Sequence, residues 1–386
     1  MHPMQQRQLL ILVPAVVVAW LLESVLWFAF ARVLGSGMRQ PFRIVVLVVS
    51  LAPIVAQVFS SSLPEWLANK AHDYFYYHLL FLFFFLLASL AITGLAMLLQ
   101  RNGIIALSDP SWVRPSLVII SMICTGLVLS YGMRNAAYPS VRSYSFHIAK
   151  PATQTNMRVI AISDIHWDTL ADPVVIERAV ELINTRSPDV VLILGDSVTN
   201  DSSRFINEKA PQLLGQIQAT YGTYVITGNH DFYDGKVEEL MQAYKQAGMI
   251  ILRDETTKVA DSLWLVGRED YGGMRGLVVH PRAELTELLA LTNQSEPVLV
   301  LDHQPRNLDA NSALGFDIEL SGHTHGGQIW PITALASRLY DLNHGLKTIG
   351  STHFIVTCGI GYWGPPLRLG TTSEVLELNL TFDPLP

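Results

Sequence analysis

The sequence is poor in cysteine. Its 386 residues include two cysteines, Cys124 in an apolar run and Cys358 on a predicted strand, and they form no CxxC pair. They give no disulfide framework and no thiolate cluster of the kind that builds a closed zinc site, so they indicate no redox compartment. We expect Cys358 to be a buried core thiol. Internal repeats and low-complexity segments are also absent from the sequence.

The sequence is also poor in charge. Charged residues make up 15% of the chain and hydrophobic residues 50%, which is apolar for a single soluble protein. Four acidic and seven basic residues precede Arg134, which leaves 29 of the 33 acids and 19 of the 26 bases after that point. This distribution predicts a membrane segment followed by an acidic soluble domain. Because nucleic-acid binding depends on Lys and Arg, we expect no nucleic-acid partner.

Long apolar runs occupy the first third of the chain. A cleaved signal peptide would have a shorter apolar core and would leave three of these runs unexplained. We therefore predict four transmembrane helices within residues 1–136, with the lipid bilayer as a partner. Glu23 lies in the first helix and is open to either a functional or an interior-facing structural role. The four runs, each near the roughly 20 residues that cross a bilayer, are Leu9–Ala31, Ile44–Ser61, His78–Leu99 and Leu117–Tyr131.

The positive-inside rule gives the orientation. An even number of helices places the N-terminus and the soluble domain on the same side of the membrane. Five arginines flank the loops opposite the soluble domain, and four basic residues lie on the same side as that domain. This count favours a protein of the plasma (inner) membrane whose soluble domain faces away from the cytoplasm. The five are Arg32, Arg39, Arg43, Arg101 and Arg114; the four are Arg7, Lys70, Arg134 and Arg142.

From about Met157 the pattern changes to strands that alternate with helices, which indicates an α/β sandwich. Helices are predicted at Pro173–Thr185, with Asp172 as N-cap, and at Lys236–Ala247, where Gly248 ends the helix. The predicted strands are Arg158–Ser163, Val190–Leu194, Thr223–Thr227, Leu263–Val266, Val298–Leu301, Asp317–Leu320, Phe354–Thr357 and Val375–Leu380.

Five short polar segments each follow an apolar run, so their side chains are expected to gather at the ends of buried strands. A lone Asp-x-His or Gly-Asp is common in loops, but five segments that all supply oxygen or nitrogen ligands indicate a two-metal phosphoesterase site. Asp164 and His166 are two residues apart in an extended segment, so we expect their side chains to project to the same side and bind one ion. The segments are Ser163–His166, Gly195-Asp196, Gly228–Asp231, Asp302-His303 and Gly322–Gly327.

The order D-x-H, GD, GNHD, a single His and GHTH resembles the calcineurin-like metallophosphoesterases over roughly residues 157 to 380. The later stretch Gly359–Arg368 is similar to a membrane-associated bacterial branch of that superfamily with N-terminal transmembrane helices. The resemblance implies two mixed β-sheets flanked by helices. We therefore expect an all-α transmembrane segment at 1–136, a linker at 137–156 and an α/β metallophosphoesterase domain at 157–386.

The resemblance also implies a ligand set for two metal ions. Asp196 would bridge them. Nitrogen and oxygen ligands without thiolate suit Mn, Fe, Zn or Co, so the identity of the metals is open. By resemblance the first metal is bound by Asp164, His166, Asp196 and His325, and the second by Asp196, Asn229, His303 and His323.

His230 is expected at the rim of the site as a catalytic residue, where its imidazole can protonate the leaving oxygen or stabilise phosphoryl charge. Asp231 would orient His230, with a loop or capping role as the alternative. Arg368 would contact the substrate phosphate or anchor its own loop. Trp330 and Trp363 would line a pocket, although core or interface packing is favoured over that role. Thr199 stands where many members of the superfamily have a second acid that is not usually a metal ligand. This difference puts in doubt a contact behind the metal ligands and the substrate preference, but not the metal site.

These patterns predict a membrane-anchored, metal-dependent phosphoesterase that hydrolyses phosphate mono- or diesters, with a lipid-linked phosphate or pyrophosphate as one possible substrate. A rival interpretation is a membrane sensor or scaffold that has lost activity, although all seven ligands and His230 are present. A transporter is disfavoured because no inverted repeat and no charge-lined pathway is visible. The sequence gives no oligomeric state.

Overall fold

The structure, a computed structural model, describes residues 40–41, 44, 64–105, 110–168, 173–272 and 282–386. The chain divides into two units, Met1–Tyr131 and Gly132–Pro386. We call the second one the C-terminal unit.

Two long helices precede the sheets. Helix α1 is Glu65–Arg101 and helix α2 is Pro110–Ala137. Among the described residues, the stretches long and apolar enough to cross a membrane are Asp73–Arg101 and Ser116–Ala137. Large apolar side chains such as Leu90 and Leu127 are exposed along these helices. Such exposure is typical of helices whose surroundings are apolar.

These two helices contain the predicted spans His78–Leu99 and Leu117–Tyr131. The other two predicted spans, Leu9–Ala31 and Ile44–Ser61, lie outside the described residues except for Ile44, and so does Glu23. The four-helix membrane segment is thus represented by two candidate helices in the described part of the chain.

One six-stranded sheet has the order β1-β12-β2-β3-β4-β5. Strands β2, β3, β4 and β5 are parallel neighbours, while β12 is antiparallel to β2 and parallel to β1. This mixed arrangement brings the carboxyl ends of β2, β3 and β4 to one edge. The strands are β1 (Ser140–Ala152), β2 (Asn156–Ile162), β3 (Val190–Ile193), β4 (Thr223–Val225), β5 (Ile250–Ile251) and β12 (Glu374–Pro384).

The second six-stranded sheet has the order β10-β11-β9-β8-β7-β6. Its inner strands β7, β8, β9 and β11 are parallel, and β6 and β10 close the two edges as antiparallel neighbours. The strands are β6 (Glu255–Val259), β7 (Leu263–Gly267), β8 (Val298–Leu301), β9 (Ile318–Ser321), β10 (Gly345–Ile349) and β11 (Thr352–Val356).

Side chains that alternate along the strands separate the core into layers. In β2, Val159 and Ala161 pack between the sheets, whereas Ile160 and Ile162 pack against the helices outside the first sheet. A third apolar cluster, which includes Phe316 and Phe354, lies on the outer side of the second sheet. The result is a sandwich of two mixed sheets covered by helices, as predicted.

The helices of the C-terminal unit are mostly short. Helix α3 (Pro173–Asn184) confirms the predicted helix at Pro173–Thr185. Helix α6 (Val237–Gln246) ends just before Gly248, whose φ of +88° is typical of a glycine that ends a helix. Asp172 lies outside the described residues. The helices are α3 (Pro173–Asn184), α4 (Ser202–Asn207), α5 (Ala210–Leu214), α6 (Val237–Gln246), α7 (Leu285–Leu289), α8 (Leu308–Ser312) and α9 (Ile332–Leu339), with 3₁₀ turns at His230–Phe232 and His325–Gly327.

Residues 137–156, expected to be a linker, carry strand β1 over most of their length. Ser140–Ala152 pairs with β12 in register from Ser140 opposite Glu374 to Ala152 opposite Pro384. This segment is therefore part of the first sheet, and the expectation of a linker is wrong there. The partner strand lies at the other end of the sequence, so nothing local to the segment indicates the pairing.

Candidate active site

The polar segments lie where the sequence placed them, directly after the strands. Asp164 and His166 follow β2, Asp196 follows β3, and Asn229 follows β4. In the second sheet, His303 follows β8, and His323 and His325 follow β9. Because these parallel strands end at the same edge of the sandwich, side chains from both sheets meet there.

The backbone of this edge is left-handed at several ligand positions. Asp164 and His166 have φ +54 and +49, and His323 and His325 have φ +70 and +51. Asp196 has φ +52. Non-glycine residues rarely adopt this conformation, and it concentrates at functional sites. The expectation that Asp164 and His166 share an extended segment is therefore wrong, although their side chains do converge.

One cluster contains Asp164, His166 and His325, all buried. The Nε2 atoms of the two imidazoles are 3.0 Å apart, and Asp164 Oδ1 lies 3.4 Å from His325 Nε2 and 3.9 Å from His166 Nε2. Three potential ligand atoms therefore face one point.

A second cluster contains Asp196, His303 and His323. His303 Nε2 lies 3.1 Å from Asp196 Oδ2, and His323 Nδ1 lies 2.8 Å from Asn229 Oδ1. Asn229 thus places its amide oxygen beside this cluster.

Asp196 joins the two clusters. Its Oδ2 atom is 3.1 Å from His303 Nε2 in one cluster and 3.7 Å from His166 Nε2 in the other. Its Oδ1 atom accepts a hydrogen bond from the backbone N–H of His230 at 2.8 Å, which fixes the orientation of the carboxylate. One oxygen of Asp196 therefore faces both ligand groups.

The residues present fit two metal ions. His303 Nδ1 donates to the carbonyl oxygen of Leu194 at 2.6 Å, whereas its buried Nε2 makes no hydrogen bond and faces Asp196 Oδ2 at 3.1 Å. Metal-ligating histidines characteristically donate one ring N–H to a carbonyl and present the other nitrogen to the ion. A buried polar nitrogen without a partner is costly unless a ligand satisfies it.

Burial keeps most of the imidazoles neutral. It lowers the pKa of His166 and of His325 well below the usual histidine value, with neighbouring positive charge acting in the same direction. It also lowers the pKa of His323 to about 3. Neutral imidazole is the form that binds a metal ion.

The charge balance around Asp196 and His303 favours a cation. Burial opposes ionisation of both groups, but the charges of His303 and His230 hold the pKa of Asp196 well below its usual range. Burial likewise opposes the proton on His303, yet the carboxylates of Asp196 and Asp164 raise its pKa well above the usual value. Positive charge is thus stabilised at the position that a divalent ion would occupy.

His230 lies next to both clusters. Its Nδ1 donates to the backbone carbonyl of Thr199 at 2.7 Å, and its ring packs edge-on against that of His166, with centroids 4.7 Å apart. A further group of three possible ligands, His166, Asp196 and His230, shows how near its imidazole lies to the clusters.

Asp231 does not orient His230. Its carboxylate is fully buried and accepts hydrogen bonds from the backbone N–H groups of Gly228, Asp196 and Ser197 at 2.8, 3.0 and 2.8 Å. Burial and the negative charge of Asp196 raise the pKa of Asp231 to about 7. The expectation that Asp231 is the catalytic partner of His230 is wrong, and its role is to hold two loops of the site together.

Arg368 is likewise structural. It is fully buried, and its guanidinium donates to the carbonyl oxygens of Cys358 and Gly361, each at 2.6 Å. Of the two roles open in the sequence, the loop anchor is the one observed. Cys358 is buried as expected, and burial raises the pKa of its thiol to about 12.

Two supporting contacts were missed in the sequence. Tyr233 accepts a hydrogen bond from Asn229 Nδ2 at 2.8 Å and so turns the amide oxygen of Asn229 toward His323. The spacing of four residues between Asn229 and Tyr233 is the available signal. Asp302, beside His303, pairs with Arg268 and Arg282 at 2.8 and 2.5 Å, partners too distant in sequence for any local pattern to indicate.

Two clusters of potential metal ligands joined by Asp196, at the strand ends of a mixed two-sheet sandwich, are the arrangement of a metal-dependent phosphoesterase. Comparison with known proteins agrees. A family model described as calcineurin-like phosphoesterase matches residues 157–327. The chain belongs to this family and is a metal-dependent phosphoric ester hydrolase.

Individual relatives are similar over longer stretches. A Campylobacter jejuni protein described as an uncharacterized metallophosphoesterase is 32% identical over 266 residues, 68% of this chain and 69% of its own length. A Danio rerio transmembrane protein with metallophosphoesterase domain is 29% identical over 373 residues, 91% of this chain and 83% of its own. A solved dimetal phosphatase from Danio rerio, 15% identical, aligns over 59% of this chain and 99% of its own with a TM-score of 0.37. The transmembrane relative and the two apolar helices suggest membrane association.

Proposed function

We propose that the protein is a membrane-anchored phosphoesterase with two metal ions held by Asp164, His166, Asp196, Asn229, His303, His323 and His325. The observation that carries this proposal is the position of Asp196, whose Oδ2 faces His166 Nε2 at 3.7 Å and His303 Nε2 at 3.1 Å. Bound divalent ions, Mn, Fe, Zn or Co, would neutralise the phosphoryl group and supply hydroxide near neutral pH.

The side chains of the protein itself have two roles: they hold the ligands in a fixed orientation, and one of them moves a proton. His230 Nδ1 is fixed by the carbonyl of Thr199, which leaves Nε2 as the atom that can donate a proton to the leaving oxygen. His303 is fixed in the same way by Leu194. The buried anchors Asp231 and Arg368 keep the ligand loops in place, so the ligands are preorganised.

The membrane part of the proposal rests on α1 and α2. We propose a membrane segment within residues 1–136, a catalytic domain that follows it, and a plasma (inner) membrane location with that domain facing away from the cytoplasm. A reporter that matures only after export, fused after Pro386, tests the orientation. Activity of a reporter that works only in the cytoplasm would reverse it.

The substrate we propose is a phosphate mono- or diester, with lipid-linked phosphates or pyrophosphates as a candidate class because the anchor holds the site near the bilayer. The test is hydrolysis by the purified full-length chain of bis(p-nitrophenyl) phosphate, followed by a panel of phospholipids and glycolipid pyrophosphates. Asp164→Asn is the matched control, since it removes one ligand charge with little change in shape.

The same assay distinguishes the enzyme from the rival function, an inactive sensor or scaffold. An inactive sensor or scaffold would bind metal without turning over any member of the panel, under conditions where the protein is folded and loaded. Turnover that Asp164→Asn abolishes would identify the enzyme.

A further inference from the structure

Helix α9, Ile332–Leu339, presents its large apolar side chains outward. Ile332, Leu335 and Leu339 recur at i, i+3 and i+7, which places them along one side of the helix, and all three are exposed. The residue that this helix buries is the small Ala336. A helix of a water-soluble surface has the opposite arrangement, with large apolar residues inward and polar residues outward.

Two tryptophans extend this surface. Trp330 precedes α9 and is 52% exposed, and Trp363 is 59% exposed, so neither is packed in the core, and the interface packing that the sequence equally favoured stays a prediction. Trp363 is held in place because its backbone N–H donates to Gln328 Oε1 at 2.9 Å and its carbonyl accepts from Gln328 Nε2 at 3.1 Å. We call Trp330, Ile332, Leu335, Leu339 and Trp363 the α9 face.

The composition of the α9 face is that of a membrane interface. Between Trp330 and Tyr340 the single charged residue is Arg338, which is exposed on the same helix. Tryptophan concentrates at the level of lipid headgroups, and interfacial helices combine Trp, Leu and Ile with basic residues. Large apolar side chains exposed in this way mark an interaction site.

Hydrogen bonds connect the α9 face to the end of α2. The backbone N–H of Trp330 donates to the carbonyl of Leu369 at 2.8 Å, and the adjacent Arg368 N–H donates to the carbonyl of Gly132 at 3.0 Å. Gly132 lies in the candidate span Ser116–Ala137. The surface is therefore tied, within the C-terminal unit, to the last turns of the helix that would leave the bilayer.

The α9 face also adjoins the metal site. His325 precedes Trp330 by five residues, and Thr333 in α9 lies so close to Gly327 that a side chain on that glycine would overlap it. The hydroxyl of Thr371 donates to the carbonyl of Gln328 at 3.0 Å and closes the same segment. One short piece of chain thus carries a metal ligand at one end and the apolar surface at the other.

We propose that the α9 face docks into the headgroup layer of the bilayer that anchors the chain, so that the metal site works on phosphoesters presented at the membrane surface. This inference rests on the proposed membrane anchoring. Since the anchor already raises the local concentration of lipid around the C-terminal unit, a weakly binding surface is sufficient.

The test measures the depth of one side chain in a membrane. The full-length chain carrying Cys124→Ser and Leu335→Cys is labelled with a nitroxide at position 335 and placed in nanodiscs of three parts phosphatidylcholine to one part phosphatidylglycerol. The remaining Cys358 is buried. The matched control is Leu291→Cys, another exposed leucine of the C-terminal unit, outside the α9 face.

Docking predicts that the label at 335 collides more with oxygen than with a water-soluble nickel chelate, while the label at 291 shows the reverse. Equal access of nickel to both labels, in a chain that resists extraction by alkaline carbonate, would overturn docking and leave the anchoring intact. Extraction of the chain by carbonate would overturn the anchoring, and docking with it. If neither oxygen nor the nickel chelate reaches the label at 335, and dipolar coupling appears between two labelled chains, a second copy of the chain covers the α9 face. That result would also overturn docking.

A second measurement connects docking to catalysis. The double variant Leu335→Asp and Leu339→Asp should lose at least about tenfold in hydrolysis of hexadecyl p-nitrophenyl phosphate embedded in the nanodisc, because the two charged side chains oppose docking. A tenfold loss corresponds to about 1.4 kcal/mol. Hydrolysis of soluble bis(p-nitrophenyl) phosphate should be unchanged, which also shows that the variant is folded. An equal loss on both substrates, or a loss on neither, would contradict the inference.

Discussion

The carboxylate of Asp231 accepts a hydrogen bond from the backbone N–H of Asp196 at 3.0 Å. The same carboxylate accepts from Gly228 and Ser197, so the residue beside His230 fixes the loop that carries the central carboxylate of the site. The neighbouring residues His230 and Asp231 therefore have different roles: Asp231 stabilises the loop, and His230 is proposed to act in turnover.

Asp231→Ala should destabilise the protein. It leaves three buried N–H donors unpaired, and each such group costs about 1–3 kcal/mol. A loss of about 3 kcal/mol corresponds to a fall in melting temperature of roughly 6–12 °C for a unit of this size. Differential scanning calorimetry measures it. Asp201→Ala, which removes a helix N-cap, is the control and should cost about 1 kcal/mol. An unchanged melting temperature with lost turnover would return Asp231 to a catalytic role.

His230→Ala should keep both metal ions while kcat falls roughly 10²–10⁴-fold, because a positioned acid contributes about that much. A substrate with a very good leaving group should suffer less, since its oxygen needs no proton. Metal analysis together with kcat on two leaving groups gives the result. Loss of a metal ion in this variant would make His230 a ligand, which its nearness to His166 and Asp196 leaves open.

Arg368→Ala should act on stability and not on substrate affinity. The substitution leaves the buried carbonyls of Cys358 and Gly361 without their donor, at about 1–3 kcal/mol each. Arg338→Ala, on the exposed side of α9, is the matched control and should leave the melting temperature unchanged. A raised KM with a normal melting temperature in Arg368→Ala would mean that Arg368 contacts the substrate.

Glu319 makes stability depend on pH. Burial, helped by the charge of Asp302, raises its pKa to about 8 from the ordinary 4.5. Because the folded chain holds this proton more tightly than the unfolded chain, stability is lost as the pH rises from 4.5 to about 8. Glu319→Gln should therefore gain in melting temperature relative to the wild type between pH 5 and pH 8. The exposed Glu239→Gln should show no such trend, and a flat difference for Glu319→Gln would contradict the assignment.

The strands and the positions of the proposed ligands along the chain were predictable from the sequence because both depend on local patterns. Val298–Leu301 is the predicted strand without change, and each ligand segment follows its strand. Strand β1 was not predictable as a paired strand, because its partner β12 lies at the far end of the chain.

The conformation of the ligand loops was also beyond the sequence. The left-handed backbone at Asp164 and His166 contradicts the intrinsic preference of these residues, and the surrounding contacts impose it. Helix α9 was not predicted. The apolar periodicity of Ile332, Leu335 and Leu339 indicates that they share one side of a helix, but it does not indicate that this side is exposed.

Asp196 is proposed to bridge two metal ions, and the metal content of the purified protein tests this role directly. The full-length protein, analysed by inductively coupled plasma mass spectrometry after dialysis against metal-free buffer, should retain two equivalents of divalent metal. Asp196→Asn should lose metal and nearly all turnover, because the neutral amide removes the carboxylate charge that lies 3.7 Å from His166 Nε2 and 3.1 Å from His303 Nε2. Two retained equivalents with a normal kcat in Asp196→Asn would contradict the claim.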